Sequence, residues 1–285
     1  MDEIGVYTWD RTPANAADMV QSLRDTGYTF VPIAHDPIKD ALDTAQRMST
    51  LTDEDLCRFV WEDVDEFGSL GWEKRVLTDG VRRDMLNVTG GLIANDQHWL
   101  TDEHRRLRAI CVAAHHELHA VLTEVYSAID VQLCLDSPIT QLLDHEVSTL
   151  RLLWYVGVEQ PDTSPYPTPP HTDLGLVTAV VQDLDGGLEV DIDGTWYRLP
   201  VRAGHALVAV GDLLEVITDG DLKSRPHRVP ARPRQAPDAG NRVSMVLFAH
   251  PAADFELAKT MANPRWTTAG EYLSYRLAHK GEPIS

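Results

Sequence analysis

Cysteine is scarce in this chain: Cys57, Cys111 and Cys134 are the only three, far apart and in no C-x-x-C pair. That excludes a disulfide framework or a zinc knuckle and reads as free thiols in a reducing compartment. Positive charge is also short: 25 Lys and Arg stand against 44 Asp and Glu, a formal net charge of −19. A nucleic-acid-binding surface needs a basic footprint, so no nucleic-acid partner is expected. No apolar run approaches a membrane span, so no membrane partner is expected. Met1-Asp2-Glu3-Ile4 leads into no apolar signal segment, and the expectation is a cytoplasmic protein. Repeats and low-complexity tracts are missing too.

What is present is ordinary material for a packed core: 43% hydrophobic and 24% charged residues, too little charge for intrinsic disorder. The N-terminal part reads as helices with short strands. Helices are expected over Ala14–Arg24, from about Asp40, and from Thr52, with Gly27–Ile33 as a strand. The clearest helix starts near Thr101, where Leu107, Ile110, Cys111, Ala114, Leu118, Leu122 and Val125 form one apolar stripe.

From Thr149 the texture becomes β. Strands are expected at Leu150–Val156, Leu174–Gln182, Leu188–Ile192, Thr195–Leu199, Ala206–Val210, Leu213–Thr218 and Arg242–Ala249. A proline-rich loop is expected at Pro161–Pro170, and Asp193-Gly194 is a two-residue hairpin signal. Short strands at this spacing suggest an antiparallel sandwich or barrel. Thr268 to Glu271 is a capping box, and Gly281 is placed to end the helix that follows. The expected organisation is a single integrated domain over 1–285. It has a mostly helical region at 1–148, the β core at 149–251 and a helical segment at 252–285.

Two histidine groups invite a metal reading. In His115-His116-Glu117-Leu118-His119 the first and last share a helix face, but the spacing does not fit H-E-x-x-H, so a polar helix face is expected. His145-Glu146 has no partner at useful spacing. The second group is stronger. His171 and Asp173 are two apart in an extended segment and project to one face, and His227, 56 residues on, is the best third ligand. Two histidines and a carboxylate leave coordination positions open, the arrangement of non-haem Fe(II) oxygenases.

Arg242 and Ser244 again share one face, and that pair suits a carboxylate. Val246 and Phe248 continue the face, so Arg242 needs an anion there, either a ligand or an internal salt-bridge partner. Asp212, Ser224, His205 and His250 read as structural.

From Leu150 to Pro251 the chain resembles the Fe(II)/2-oxoglutarate-dependent oxygenases of the isopenicillin N synthase-like superfamily. The resemblance rests on His171-Thr-Asp173 with Leu-Gly-Leu-Val-Thr after it, Gln182-Asp183, Gly186-Gly187-Leu188-Glu189-Val190 and Asp193-Gly194-Thr195-Trp196. It continues through Val210-Gly211-Asp212-Leu213, Asp219-Gly220, Lys223-Ser224, His227-Arg228-Val229 and Arg242-Val243-Ser244. The N-terminal Gly27–Val31 and the segment Thr268–Arg276 are more weakly similar.

The resemblance implies a double-stranded β-helix, or jelly roll, mainly β with flanking helices. It assigns His171, Asp173 and His227 to iron and to catalysis, and Arg242 and Ser244 to the distal carboxylate of 2-oxoglutarate. Tyr155 matches a tyrosine that often joins that carboxylate, although Leu153-Trp154-Tyr155-Val156 departs from the family's Asn-x-Tyr-Pro. It implies Fe(II), 2-oxoglutarate and O2 as the reaction's requirements. It further implies a small-molecule substrate oxidised at a C–H bond, with hydroxylation the default outcome, and the expected setting is bacterial natural-product metabolism. Halogenation is disfavoured because Asp173 is present. Substrate contacts are expected around Trp61–Met85 and Trp266–Tyr275, and nothing specifies an oligomeric state. Two other readings stay open: an Fe(II) oxidase like isopenicillin N synthase, which uses no 2-oxoglutarate, and a metal-free jelly-roll binding protein.

Overall fold

The computed structural model describes residues 1–65, 68–76, 82–135, 138–155, 166–183, 186–231, 241–257 and 265–279. Their strands form two antiparallel sheets. The larger has eight strands in the order β1 (Tyr28–Pro32), β10 (His205–Val210), β7 (Val177–Gln182), β12 (Arg242–Ala249), β5 (Thr149–Tyr155), β4 (Arg82–Thr89), β3 (Gly68–Val76) and β2 (Val60–Asp65). The smaller has the order β6 (Thr168–His171), β11 (His227–Val229), β8 (Glu189–Ile192) and β9 (Thr195–Arg198). Two facing sheets with flanking helices are the jelly roll that the sequence implied.

The period of two along each strand decides what each side chain touches. Leu86, Leu152, Trp154, Val243, Met245 and Leu247 join the core beneath the helices. Their neighbours Met85, Leu153, Tyr155 and Val246 join a second core between the sheets, with Val190 and Val229 of the smaller sheet. The site lies on this inner side.

The outer core is closed by α1 (Ala16–Thr26), α2 (His35–Met48) and the 32-residue α5 (Asp102–Leu133). The Thr101 hydroxyl caps α5 by accepting from the His104 amide at 3.1 Å. Its stripe of Leu107, Cys111, Ala114, Leu118, Leu122 and Val125 is buried as its spacing predicts. No described helix is long and apolar enough to cross a membrane.

The hairpin at Asp193-Gly194 forms between β8 and β9, with φ of 52° and 87° at its two turn residues. The Thr268 hydroxyl accepts from the Glu271 amide at 3.2 Å and starts α7 (Ala269–Ala278).

Three expectations are corrected. First, residues 60–65, 68–76 and 82–89 are the strands β2, β3 and β4, not part of a mostly helical region. Both faces of β4 are covered, one bearing Arg83, Met85 and Asn87 and the other Asp84, Leu86 and Val88, so polar and apolar residues do not alternate. Second, Leu213–Thr218 is not a strand. Residues Asp212–Ile217 form the helix α6. An apolar run this short has no readable period. Third, Thr168-Pro169-Pro170 belong to β6, not to a loop. Val156, Pro161, Pro165, Pro233, Pro237 and Gly281 lie outside the described residues.

Candidate active site

β6 and β11 pair so that His227 lies directly opposite His171, with ring centroids 4.3 Å apart. Asp173 follows β6 by two residues and is buried at 8% exposure. Its Oδ1 is 3.7 Å from His227 Nε2 and 3.9 Å from His171 Nε2. Among the described residues, these three alone gather donor atoms within 4.8 Å of one another.

The rings are held from behind. Nδ1 of His171 lies 2.9 Å from the Pro169 carbonyl, and Nδ1 of His227 lies 3.3 Å from the Arg225 carbonyl. A carbonyl only accepts, so each Nδ1 carries a proton and each Nε2 is the ring atom turned toward Asp173. Burial alone would raise the Asp173 pKa, but the His227 and His171 rings and the Thr178 hydroxyl bring it below the usual value. Two imidazole rings and one carboxylate therefore face a common point, a donor set that suits a divalent transition metal with positions to spare.

The loop carrying Asp173 is clamped by backbone. The Leu213 amide donates to the Gly175 carbonyl at 3.0 Å, and the Gly211 amide donates to the Leu176 carbonyl at 2.8 Å. A Cβ on Gly211 would stand 2.3 Å from the Gly175 oxygen, so only glycine permits this approach. Asp212 is structural as expected: it accepts from Thr172 Oγ1 at 3.0 Å and from Arg276 at 2.7 Å.

Arg242 reaches the same inner face from β12. Its Nε donates to the Gly186 carbonyl at 2.5 Å and its Nη2 to Gln182 Oε1 at 3.3 Å, while Nη1 is buried without a partner among the described residues. No carboxylate of the described residues pairs with it. Ser244, 3% exposed, is next on that face. Tyr155 is in register with Arg242, whose guanidinium stacks 4.4 Å from its ring centroid. Burial would raise the Tyr155 pKa, yet Arg242 and Arg83 on either side lower it.

Three residues on this face escaped the sequence reading as individuals: Arg83, Asn87 and Arg151. Arg83 lies within the expected substrate window of Trp61–Met85. Arg151 stands four residues before Tyr155, an even spacing that puts both on one face, and that signal was readable.

The fold also gives His145 neighbours that its local spacing does not show. It packs against the α5 histidines, with centroids 4.4 Å from His115, 5.0 Å from His119 and 5.2 Å from His116. A loop contact across 26 or more positions leaves no trace in local spacing. On α5 itself His115 is fully buried, His119 half-buried and His116 exposed.

Residues 146–251 match the family model of the 2OG-Fe(II) oxygenase superfamily. Scopoletin 8-hydroxylase of Arabidopsis thaliana is 33% identical over 107 residues, 34% of this chain and 29% of that protein. Deacetoxycephalosporin C synthase of Amycolatopsis lactamdurans is 30% identical over 116 residues, 38% of this chain and 37% of that protein. The matched stretch thus spans about a third of these curated relatives. A Neurospora crassa protein, solved in complex with alpha-KG and 5-formyluracil, superposes with a TM-score of 0.77 at 21% identity, over 94% of this chain and 90% of that one. The rice dioxygenase for auxin oxidation superposes with a TM-score of 0.73 at 18% identity, over 96% of each chain. At such identities the structural likeness establishes the fold.

Proposed function

We propose that the chain, whose residues 146–251 match the 2OG-Fe(II) oxygenase superfamily model, is a non-haem Fe(II)- and 2-oxoglutarate-dependent dioxygenase. It oxidises a C–H bond of a small molecule, by hydroxylation or a related oxidation, in bacterial natural-product metabolism. One observation carries the reading: two imidazoles and a carboxylate converge on the same inner side as an arginine with no acid partner among the described residues. The relatives named as a scopoletin hydroxylase and a deacetoxycephalosporin synthase support the small-molecule class.

His171, Asp173 and His227 hold Fe(II) in this reading. Arg242 binds the distal carboxylate of 2-oxoglutarate through its free Nη1, Ser244 adds a hydroxyl, and Tyr155 keeps the guanidinium flat against its ring. When bound, the metal with 2-oxoglutarate and O2 supplies the oxidising power, releasing succinate and carbon dioxide. The chain fixes both ends of the co-substrate between the two sheets. The Pro169 and Arg225 carbonyls keep the two imidazoles in one tautomer and orientation.

Substrate-stimulated succinate formation by the Fe(II) enzyme, followed across a panel of small metabolites, is the test. Succinate released with substrate oxidation supports the reading. Oxygen uptake with substrate oxidation and no succinate would replace it with the 2-oxoglutarate-independent oxidase. A protein that retains no iron after anaerobic reconstitution would be the metal-free binding protein.

A further inference from the structure

The inner face carries more positive charge than the proposed reaction uses. Arg83 on β4 is buried at 9% exposure; its Nη1 donates to Thr168 Oγ1 at 2.6 Å, and its Nε is buried without a partner among the described residues. Arg151 on β5 is half-buried. Its Nε donates to Asn87 Oδ1 at 2.6 Å, and its guanidinium stacks 4.8 Å from the Phe248 ring centroid. None of these partners is charged, and no carboxylate of the described residues pairs with either arginine. Glu73 lies farther along this face on β3, but Arg75 already holds it at 2.9 Å.

Buried charge without a counter-ion is costly, so a face that keeps two cations with no acid partner among the described residues is built to receive an anion. The charge balance narrows which one. Resting on the dioxygenase reading, a divalent metal, the Asp173 carboxylate, the two carboxylates of 2-oxoglutarate and the Arg242 guanidinium together sum to zero. Arg83 and Arg151 are left over. Burial, and then the proximity of Arg83 and Arg75, push the Arg151 pKa down to about 10, which leaves it a cation at neutral pH. The remaining walls are apolar: Met85, Leu153, Val180, Val246 and Phe248 share this side.

We infer that Arg83 and Arg151 form a carboxylate-binding subsite, so that the substrate is a small organic acid with an apolar body. Arg151, the more exposed of the two, makes the outer contact, and Arg83 balances charge from its place beside Tyr155 and Thr168. Asn87 is a positioning residue that fixes the Arg151 Nε.

Benzoate and benzamide have the same shape and differ in charge, which makes them suitable probes. Each is titrated anaerobically into the Fe(II) enzyme saturated with 2-oxoglutarate, by calorimetry and by the shift of the metal-to-ligand charge-transfer band. Benzoate is expected to bind at least about tenfold more tightly than benzamide. Arg151→Gln and Arg83→Gln should each weaken benzoate about tenfold or more and leave benzamide unchanged, while Arg151→Lys and Arg83→Lys retain most of the preference. Equal binding of the two probes, or no binding of benzoate, overturns the inference without using any variant. It is also overturned if the Gln variants lose 2-oxoglutarate as severely as benzoate, since the arginines would then serve the co-substrate. A wild-type enzyme that gives no charge-transfer band with 2-oxoglutarate removes the charge count and the dioxygenase reading together. Loss of benzoate preference with the band intact removes only the subsite.

Discussion

The Asp212 amide donates to the Asp173 carbonyl at 2.7 Å, so the first residue of α6 is tied directly to the proposed carboxylate ligand. The Asp212 side chain extends the link. It accepts from Thr172 and forms an ion pair with Arg276 of α7 at 2.7 Å, with side-chain exposures of 1% and 3%. One buried carboxylate thus joins the C-terminal helix to the loop that presents Asp173.

Breaking a buried pair by removing one partner typically costs about 3–5 kcal/mol, because the other charge is left unpaired. Asp212→Ala should therefore lower thermal stability strongly and weaken metal binding along with it. Asp212→Asn keeps an acceptor for Thr172 and should lose less. Calorimetric melts of both variants, with and without Fe(II), check this; an Asp212→Ala melt identical to wild type would deny the link any strength.

The metal assignment has its own test. Asp173→Ala removes the carboxylate facing the two Nε2 atoms, and should abolish stoichiometric Fe(II) binding and turnover. The backbone bonds that clamp the loop do not involve this side chain, so circular dichroism should be unchanged. Full iron content in the variant would mean that the ion sits elsewhere.

Much of this site was legible because strands repeat every two residues. His171 with Asp173, and Arg242 with Ser244, had to share faces once their segments were extended, and the fold needed only to bring β6, β11 and β12 together. Arg83 was not legible in the same way. It belongs to a strand covered on both sides, where the pattern of polar and apolar residues carries no phase. Asp212–Ile217 misled for the opposite reason: six residues rich in Leu, Val and Ile look like a strand until Gly211 and Asp212 turn them into a helix. The contact of His145 with α5 depends on a loop returning to a helix, which no local spacing encodes.

That contact has a consequence for stability against pH. His115 is fully buried with Nε2 3.0 Å from the Ser148 carbonyl, and burial pushes its pKa down to about 4, the neighbouring histidines adding to the shift. An unfolded histidine titrates near 6.5. Between those values the unfolded chain binds the proton and the folded chain does not. The contribution is therefore complete above about pH 6.5 and is lost as pH falls toward 4, reaching about 2 kcal/mol at pH 5. Thermal melts from pH 7.5 to 5 should fall less steeply for His115→Gln than for wild type. Parallel slopes would show that His115 is protonated equally in both states.

Arg242 decides between the two oxidising readings. Its Nη1 is buried and unpaired among the described residues, and the groups it does meet, the Gly186 carbonyl, Gln182 and the Tyr155 ring, are all neutral. If 2-oxoglutarate is the co-substrate, its distal carboxylate supplies the missing charge. Truncating one partner of a buried, hydrogen-bonded charge pair costs about 2–5 kcal/mol, part of it the penalty on the charge left behind. At about 1.4 kcal/mol per tenfold, Arg242→Gln should raise the 2-oxoglutarate Kd by about 30-fold or more. Ser244→Ala removes one hydroxyl donor and should raise it by less. Anaerobic titration of the Fe(II) enzyme, followed by the charge-transfer band, measures both. A wild type that oxidises a substrate but shows neither band nor succinate would give Arg242 to the substrate's own carboxylate, as the oxidase reading requires.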